Sequence, residues 1–155
     1  MAFGALSVKG RALRWLAQRE HSRAELERKL ARCVEDQPGA SARAQIDAAL
    51  DDLAAKGLLS DARAAASVLS GQGQRYGARR LRQTLRAKGL DAELVSHTLQ
   101  QACGSELERA REVWRRRFGS PPANAAERAR QMRFLAGRGF EGDVIRRVVQ
   151  AQDED

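Results

Sequence analysis

Aromatic residues are scarce in this chain: one tyrosine, two tryptophans and four phenylalanines among 155 residues, which argues against a small apolar ligand as the partner. Two cysteines, Cys33 and Cys103, lie far apart, with neither a CxxC partner nor a histidine pair nearby. A disulfide framework and a zinc site are therefore not expected, and a reducing, cytoplasmic setting is. Long apolar runs are missing, and the first twenty residues carry Lys9, Arg11, Arg14 and Arg19, so neither a signal peptide nor a membrane span is expected. Phosphate-cradling loops of the forms GxxxxGKS/T and GxGxxG are absent, which argues against nucleotide hydrolysis. His21 and His97 stand without a nucleophile or an orienting group, and Asp51 and Asp52 point to different sides of a helix. A surface or half-buried structural role suits both histidines; no enzymatic activity, cofactor or metal is expected.

One further absence carries more information. Between Asp61 and Asp91 there is no acidic residue, while Arg63, Arg75, Arg79, Arg80, Arg82, Arg86 and Lys88 are all basic. The chain as a whole bears a formal charge of +8 and a pI near 10.6, which points to a polyanionic partner. Lys9, Lys29, Lys56 and Lys88 are the only lysines. Arginine's planar fork suits phosphate and carboxylate, although a GC-rich genome also favours arginine codons whatever the function. Only the clustering tells against that second explanation.

Apolar spacing predicts helices throughout. A first helix over Val8 to Arg19 places Leu13, Leu16 and Ala17 inward, and Ser22-Arg23-Ala24-Glu25 has the form of a capping box ahead of Leu26 and Leu30. Glu35 to Ala40 is a loop, and Ser41 caps a helix with Ile46, Leu50, Leu53 and Ala54 that stops at Lys56-Gly57, with Leu58 and Leu59 packing back. Ser60 and Asp61 start an alanine-rich helix to about Leu69, and Gly71 and Gly73 loosen the segment beyond it. The basic helix covers about Ala78 to Lys88 and Gly89 stops it. Asp91 then caps a helix with Leu94, Val95, Thr98, Leu99 and Ala102. Ser105-Glu106-Leu107-Glu108 reads as a second capping box, opening a helix with Ala110, Trp114 and Phe118 on one face and Arg115, Arg116 and Arg117 on the rest. Beyond Pro121-Pro122, Asn124 with Glu127 starts a helix carrying Ala129, Met132 and Leu135, and Arg138-Gly139-Phe140 turns into a last helix with Val144, Ile145, Val148 and Val149. No strand pattern is present, so the class is all-α.

A shift of fifty residues lays Arg80 on Arg130, Leu85 on Leu135, Gly89 on Gly139, Leu90 on Phe140 and Leu94 on Val144. A looser first copy sets Leu26 and Leu30 against Leu81 and Leu85 but lacks the glycine. The expected organisation is three tandem three-helix repeats: 1–57, 58–104 with the basic helix 78–88, and 105–155 with an acidic C-terminal tail.

On the basic helix, Arg79, Arg82 and Arg86 fall on one stripe, with Leu81 and Leu85 toward the opposite side. Arg75, Tyr76, Arg79, Arg80, Arg82, Arg86 and Lys88 are accordingly the candidate residues for binding nucleic acid or a partner; a solvated face is the alternative for the arginines. Tyr76 has two readings, a platform for a stacked base or an aromatic packed at the core edge ahead of the helix. Arg115 to Arg117 and the Arg128, Arg130, Arg133 group are weaker candidates, because Glu112 and Glu127 stand nearby.

Four stretches, in order, resemble the RecX family of bacterial recombination regulators: Arg19 to Leu30, Gly57 to Arg63, Tyr76 to Gln83 with Lys88-Gly89-Leu90, and Arg133 to Phe140. The resemblance covers nearly the whole chain. It implies an elongated, curved array of three repeats, a monomer, and a modulator, usually an inhibitor, of the RecA recombinase that lies along the RecA filament on single-stranded DNA; direct DNA binding is implied as well. The chain departs from the family pattern at Ala64, where phenylalanine is usual, and at Gly73, Gln74, Arg75, Ala78 and Thr84. These departures move some charge and put the contact residues in question. Two rival readings remain. A helix-turn-helix transcription regulator would need base-reading polar residues, for which Gln83 and Thr84 are the only candidates. An enzyme acting on nucleic acid would need a metal cluster, for which no pattern exists.

Overall fold

Nine α-helices order the residues that the computed structural model describes, which are 6–103 and 105–151. They are α1 (Val8–Gln18), α2 (Arg23–Ala31), α3 (Ala42–Ala55), α4 (Asp61–Gln72), α5 (Ala78–Ala87), α6 (Ala92–Cys103), α7 (Glu106–Arg117), α8 (Ala125–Gly137) and α9 (Gly142–Gln150). Among the described residues there is no strand, only an isolated bridge between Gln37 and Ala40 in the α2–α3 loop. No helix among them is long and apolar enough to cross a membrane. The expected acidic tail, residues 152–155, lies outside the described residues.

The predicted N-terminal caps form in most places. Ser22 and Glu25 make the reciprocal box, with Glu25 N–H donating to Ser22 Oγ at 3.1 Å and Ser22 N–H to Glu25 Oε1 at 3.1 Å. Ser41 accepts from Ala44 N–H at 3.1 Å, Asp91 from Leu94 N–H at 2.8 Å and Asn124 from Glu127 N–H at 2.9 Å. Each satisfies one of the donors that a helix start leaves free. Ser105 does not. Its hydroxyl donates to the Ala102 carbonyl at 3.1 Å and accepts from Arg109 Nη1 at 2.9 Å, and it makes no capping bond to α7. With α6 ending so close to α7, the hydroxyl proton goes to the Ala102 carbonyl, and the Arg109 guanidinium takes the oxygen that the capping box would have offered to an α7 amide.

Contacts divide the chain into two compact units, Met1–Ser67 with Lys88–Leu90, and Val68–Ala87 with Asp91–Asp155. The first unit buries Ala12, Leu26, Leu30, Ile46, Leu50, Leu53 and Leu59. On α1 the fully buried residue is Ala12, and Ala17, expected inward, is exposed. Five residues at 100° each put Ala17 about 140° round from Ala12, whereas Val8, Leu16 and Trp15 flank Ala12 and pack on this core. Leu58 likewise stays 45% exposed while Leu59 is buried. Gly57, at φ +72°, closes α3 by donating to the Ala54 carbonyl, and Leu58 N–H donates to the Leu53 carbonyl at 2.9 Å. This double closure holds Leu58 in the turn and sends Leu59 inward. α4 also runs past the expected Leu69 through Gly71, with Gly73 N–H still donating to the Leu69 carbonyl at 2.8 Å. A single glycine lowers helix stability by about 1 kcal/mol without stopping the helix.

The second unit buries Ala110, Trp114, Leu135, Phe140, Ile145, Val148 and Val149. Trp114 Nε1–H donates to buried Gln131 Oε1 at 2.8 Å, and Gln131 Nε2 reaches the Ser120 carbonyl at 3.3 Å, so the two large polar groups of this core satisfy one another and the α7–α8 loop. The fifty-residue correspondence has a structural basis: Gly89 and Gly139 have φ of +72° and +86°, and Leu90 and Phe140 after them are both buried.

Candidate nucleic-acid interface

Helix α5 is built from good helix formers, with Ala78, Leu81 and Leu85 fully inward and its arginines left on the other faces. No residue immediately before it has a capping side chain, and its first amides are satisfied from far along the chain. Gly77 N–H donates to the Arg138 carbonyl at 2.9 Å, Arg79 N–H to the Gly139 carbonyl at 3.1 Å, and Ala78 N–H to Glu106 Oε1 at 3.2 Å. Glu106 is only 7% exposed, and its carboxylate sits where the helix dipole is positive. Sequence reasoning missed this role, having assigned Glu106 to the interior of a capping box. A Cβ on Gly77 would run into the Gly139 carbonyl and the Phe140 nitrogen, and one on Gly139 would lie 2.5 Å from Arg80 Cβ. The two glycines thus permit the approach that completes α5.

The candidate residues divide by what surrounds them. Arg75, Arg79 and Arg86 are exposed and Arg82 is half-buried, and none of the four has a carboxylate partner. Arg80 lies over the Tyr76 ring, its guanidinium carbon 4.1 Å from the centroid, and Arg138 approaches the same ring at 5.5 Å. Tyr76 is half-buried and held between structure and surface by two cations. Lys88 is turned inward within the first unit, where its Nζ donates to Glu25 Oε1 at 3.2 Å while the Lys88 carbonyl accepts from Ser22 Oγ. Burial alone would raise the Glu25 carboxyl, but donors from Arg19, the Ser22 amide and Lys88 outweigh it and hold its pKa at about 2.

Cations of the first unit are largely neutralised in this way. Arg23 reaches Glu27 and Asp51, Arg63 reaches Glu20, and Lys9 and Lys56 share Asp52, whose carboxyl is held below its ordinary value by their hydrogen bonds. In the second unit Arg115 and Arg116 share Glu112, at 3.1 and 3.0 Å, and so lose much of their field. Arg117 and Arg138 have no carboxylate partner.

Those two arginines belong to a series of alternating rings and guanidinium groups. Arg138 stands 5.2 Å from the Phe134 centroid, Phe134 meets Phe118 edge-on at 5.3 Å, Arg117 lies 5.5 Å from Phe118, and Arg130 lies 5.7 Å from it. With Arg80 and Tyr76 the series runs unbroken across the second unit. Beside it opens a cleft of about 770 Å³, whose lining includes Arg75, Glu108, Val113, Arg117, Phe134 and Arg138. Four residues separate Phe134 from Arg138, the helical spacing that sets two side chains on one face; that signal was present in the sequence, but not the approach of Tyr76.

His21 is buried at 1% exposure, deeper than the surface or half-buried position expected. Its Nδ1 lies 3.0 Å from the Arg19 carbonyl and its Nε2 3.1 Å from Lys29 Nζ, so the neutral ring with the proton on Nδ1 satisfies both. Burial pushes its pKa below the ordinary value. His97 is exposed. Among the described residues no group of three His, Cys, Asp or Glu side chains is placed to hold a metal ion.

Helices in groups of three, with a face of unpaired arginines interleaved with rings, define an all-α repeat protein with a cationic surface. Family models of the first, second and third three-helix domains of RecX match residues 9–37, 60–99 and 105–149. The chain belongs to the RecX family of regulatory proteins. The Regulatory protein RecX of Leptothrix cholodnii is 54% identical over 150 residues, 97% of this chain and 92% of its own. That of Ralstonia nicotianae is 45% identical over 148 residues, 96% and 89%. The crystal structure of RecX from Lactobacillus salivarius has the same fold, with a TM-score of 0.77 at 19% identity and 96% of each chain covered.

Proposed function

We propose that this protein binds the RecA filament on single-stranded DNA and inhibits its recombinase and ATPase activity, and thereby modulates recombination, DNA repair and the SOS response. Membership of the RecX family is the background to this reading. The single observation that carries it is the group Arg75, Arg79, Arg82 and Arg86, four cations of one short segment that all lack a carboxylate partner, whereas Lys9, Arg23, Lys56, Arg63 and Lys88 of the first unit each reach one. Repulsion among such a group costs a few tenths of a kcal/mol per pair on a helix, and a polyanion removes that cost. Arg80 and Tyr76 would supply a stacked cation and ring beside the stripe.

Thr84 weakens the helix-turn-helix alternative. Its hydroxyl donates to the Arg80 carbonyl at 3.1 Å, which leaves Gln83 as the one free base-reading candidate on α5. The test is the RecA ATPase on single-stranded DNA with increasing amounts of the full chain. Inhibition is expected, and at substoichiometric ratios it would indicate capping of filaments. An unchanged ATPase together with a footprint at one duplex sequence would replace this reading with the alternative.

A further inference from the structure

The cleft of about 770 Å³ in the second unit has a composition that a generic cationic surface does not. Arginines dominate its rim, and Arg75, Arg117 and Arg138 among them lack a carboxylate partner. Val113 and Phe134 give it an apolar wall, and the guanidinium planes of Arg117 and Arg138 stand beside Phe134 at 5.6 and 5.2 Å. Two carboxylates also line it. Glu112 is occupied by Arg115 and Arg116, but Glu108 is exposed and makes no hydrogen bond or ion pair. A free carboxylate within a ring of arginines suits a ligand that carries both an anion and hydrogen-bond donors on each unit. An acidic peptide supplies anions and backbone N–H donors but no flat ring for the wall at Phe134; a nucleotide supplies an anion, the donors of an exocyclic amine and a flat ring together.

We propose that this cleft takes a nucleotide unit of single-stranded nucleic acid directly, with the phosphodiester on Arg75, Arg117 and Arg138 and the base against Phe134, and that Glu108 selects bases bearing an exocyclic amine over thymine. The proposal rests on the nucleic-acid part of the function above and adds a second contact, away from the α5 stripe, with a preference of its own. Cytosine offers its N4 amine to a carboxylate acceptor, whereas thymine flanks its one ring N–H with two carbonyls that the carboxylate repels. Paired bases hide these edges, so a duplex does not fit.

The test uses the full chain alone, without RecA, and the fluorescence anisotropy of labelled oligo-dC and oligo-dT about 15 nucleotides long, at mildly alkaline pH where oligo-dC stays unpaired. Oligo-dC is expected to bind about fivefold or more tightly than oligo-dT, the low end of what one base-edge contact gives. Glu108→Ala is expected to level the two, and Arg117→Ala with Arg138→Ala, which spare the group that carries the filament reading, to weaken both about tenfold while circular dichroism melting confirms that the variants fold. Equal binding of the two oligonucleotides by the unaltered chain, or a preference that survives Glu108→Ala, overturns the proposal. So does displacement of oligo-dC by a labelled oligoglutamate at equal concentration, which would make the cleft a groove for acidic peptides. Equal binding of the two oligonucleotides by an unaltered chain that still inhibits RecA would strike this cleft alone; a dC preference in a chain that leaves RecA uninhibited would strike the filament reading.

Discussion

The amide of Gly77 donates to the carbonyl of Arg138 at 2.9 Å, which ties the start of the basic helix to the turn that ends α8. Little room exists at this junction, because the backbone of Gly139 and Phe140 occupies the place a side chain on residue 77 would need. Gly77→Ala is therefore expected to lower stability by about 1–3 kcal/mol, the range for forcing an extra carbon into a packed site. Urea denaturation of the variant would measure it. A midpoint equal to that of the unaltered protein would show that the junction has room for the extra carbon.

Acid should weaken the first unit in two stages. The Glu25 carboxyl titrates at about 2 when folded against 4.5 in the free group, so the unfolded chain takes the proton first, and the stability Glu25 contributes is complete above 4.5 and is lost as pH falls toward 2. Neutral His21, with its pKa lowered by burial, behaves in the same sense from a higher starting point: its contribution is complete above 6.5 and declines below it. The urea midpoint followed against pH should fall from near 6.5 and again below 4.5. Glu25→Gln is expected to reduce the second decline, to which Asp52 also contributes, and to leave the first.

Arg79, Arg82 and Arg86 changed together to alanine should leave the fold intact, since α5 buries Ala78, Leu81 and Leu85 and none of the three arginines pairs with a carboxylate. Filament inhibition is expected to weaken at least tenfold. If the three contact phosphates of a single strand, the slope of log binding constant against log salt should also shrink by about two, at roughly 0.7 per phosphate. A folded triple variant that inhibits fully would remove α5 from the interface.

Most of the fold could be read from the sequence because it is written in short-range terms. Ser22, Ser41, Asp91 and Asn124 cap helices within three residues of themselves, and leucines at helical spacing mark the buried faces of α2, α3 and α5. Errors arose where two elements compete for one group. Ser105 was drawn to the Ala102 carbonyl, Leu58 was held in the turn at Gly57, and Ala12 rather than Ala17 met the core. The cationic stripe was legible for the same local reason, as helical spacing within one segment. Glu106 below Ala78, Arg138 over Tyr76 and Lys88 on Glu25 were not, since each joins residues far apart in the chain.

Those distant partners bear on how the protein is made. Helix α5 emerges from the ribosome well before Glu106, Arg138 and Gly139, the residues that accept from its first amides. Until they arrive, its opening turn must rely on water, with nothing to fix where the helix begins. The segment that carries the charge is therefore finished only when the third group of helices has been synthesised and has closed upon it.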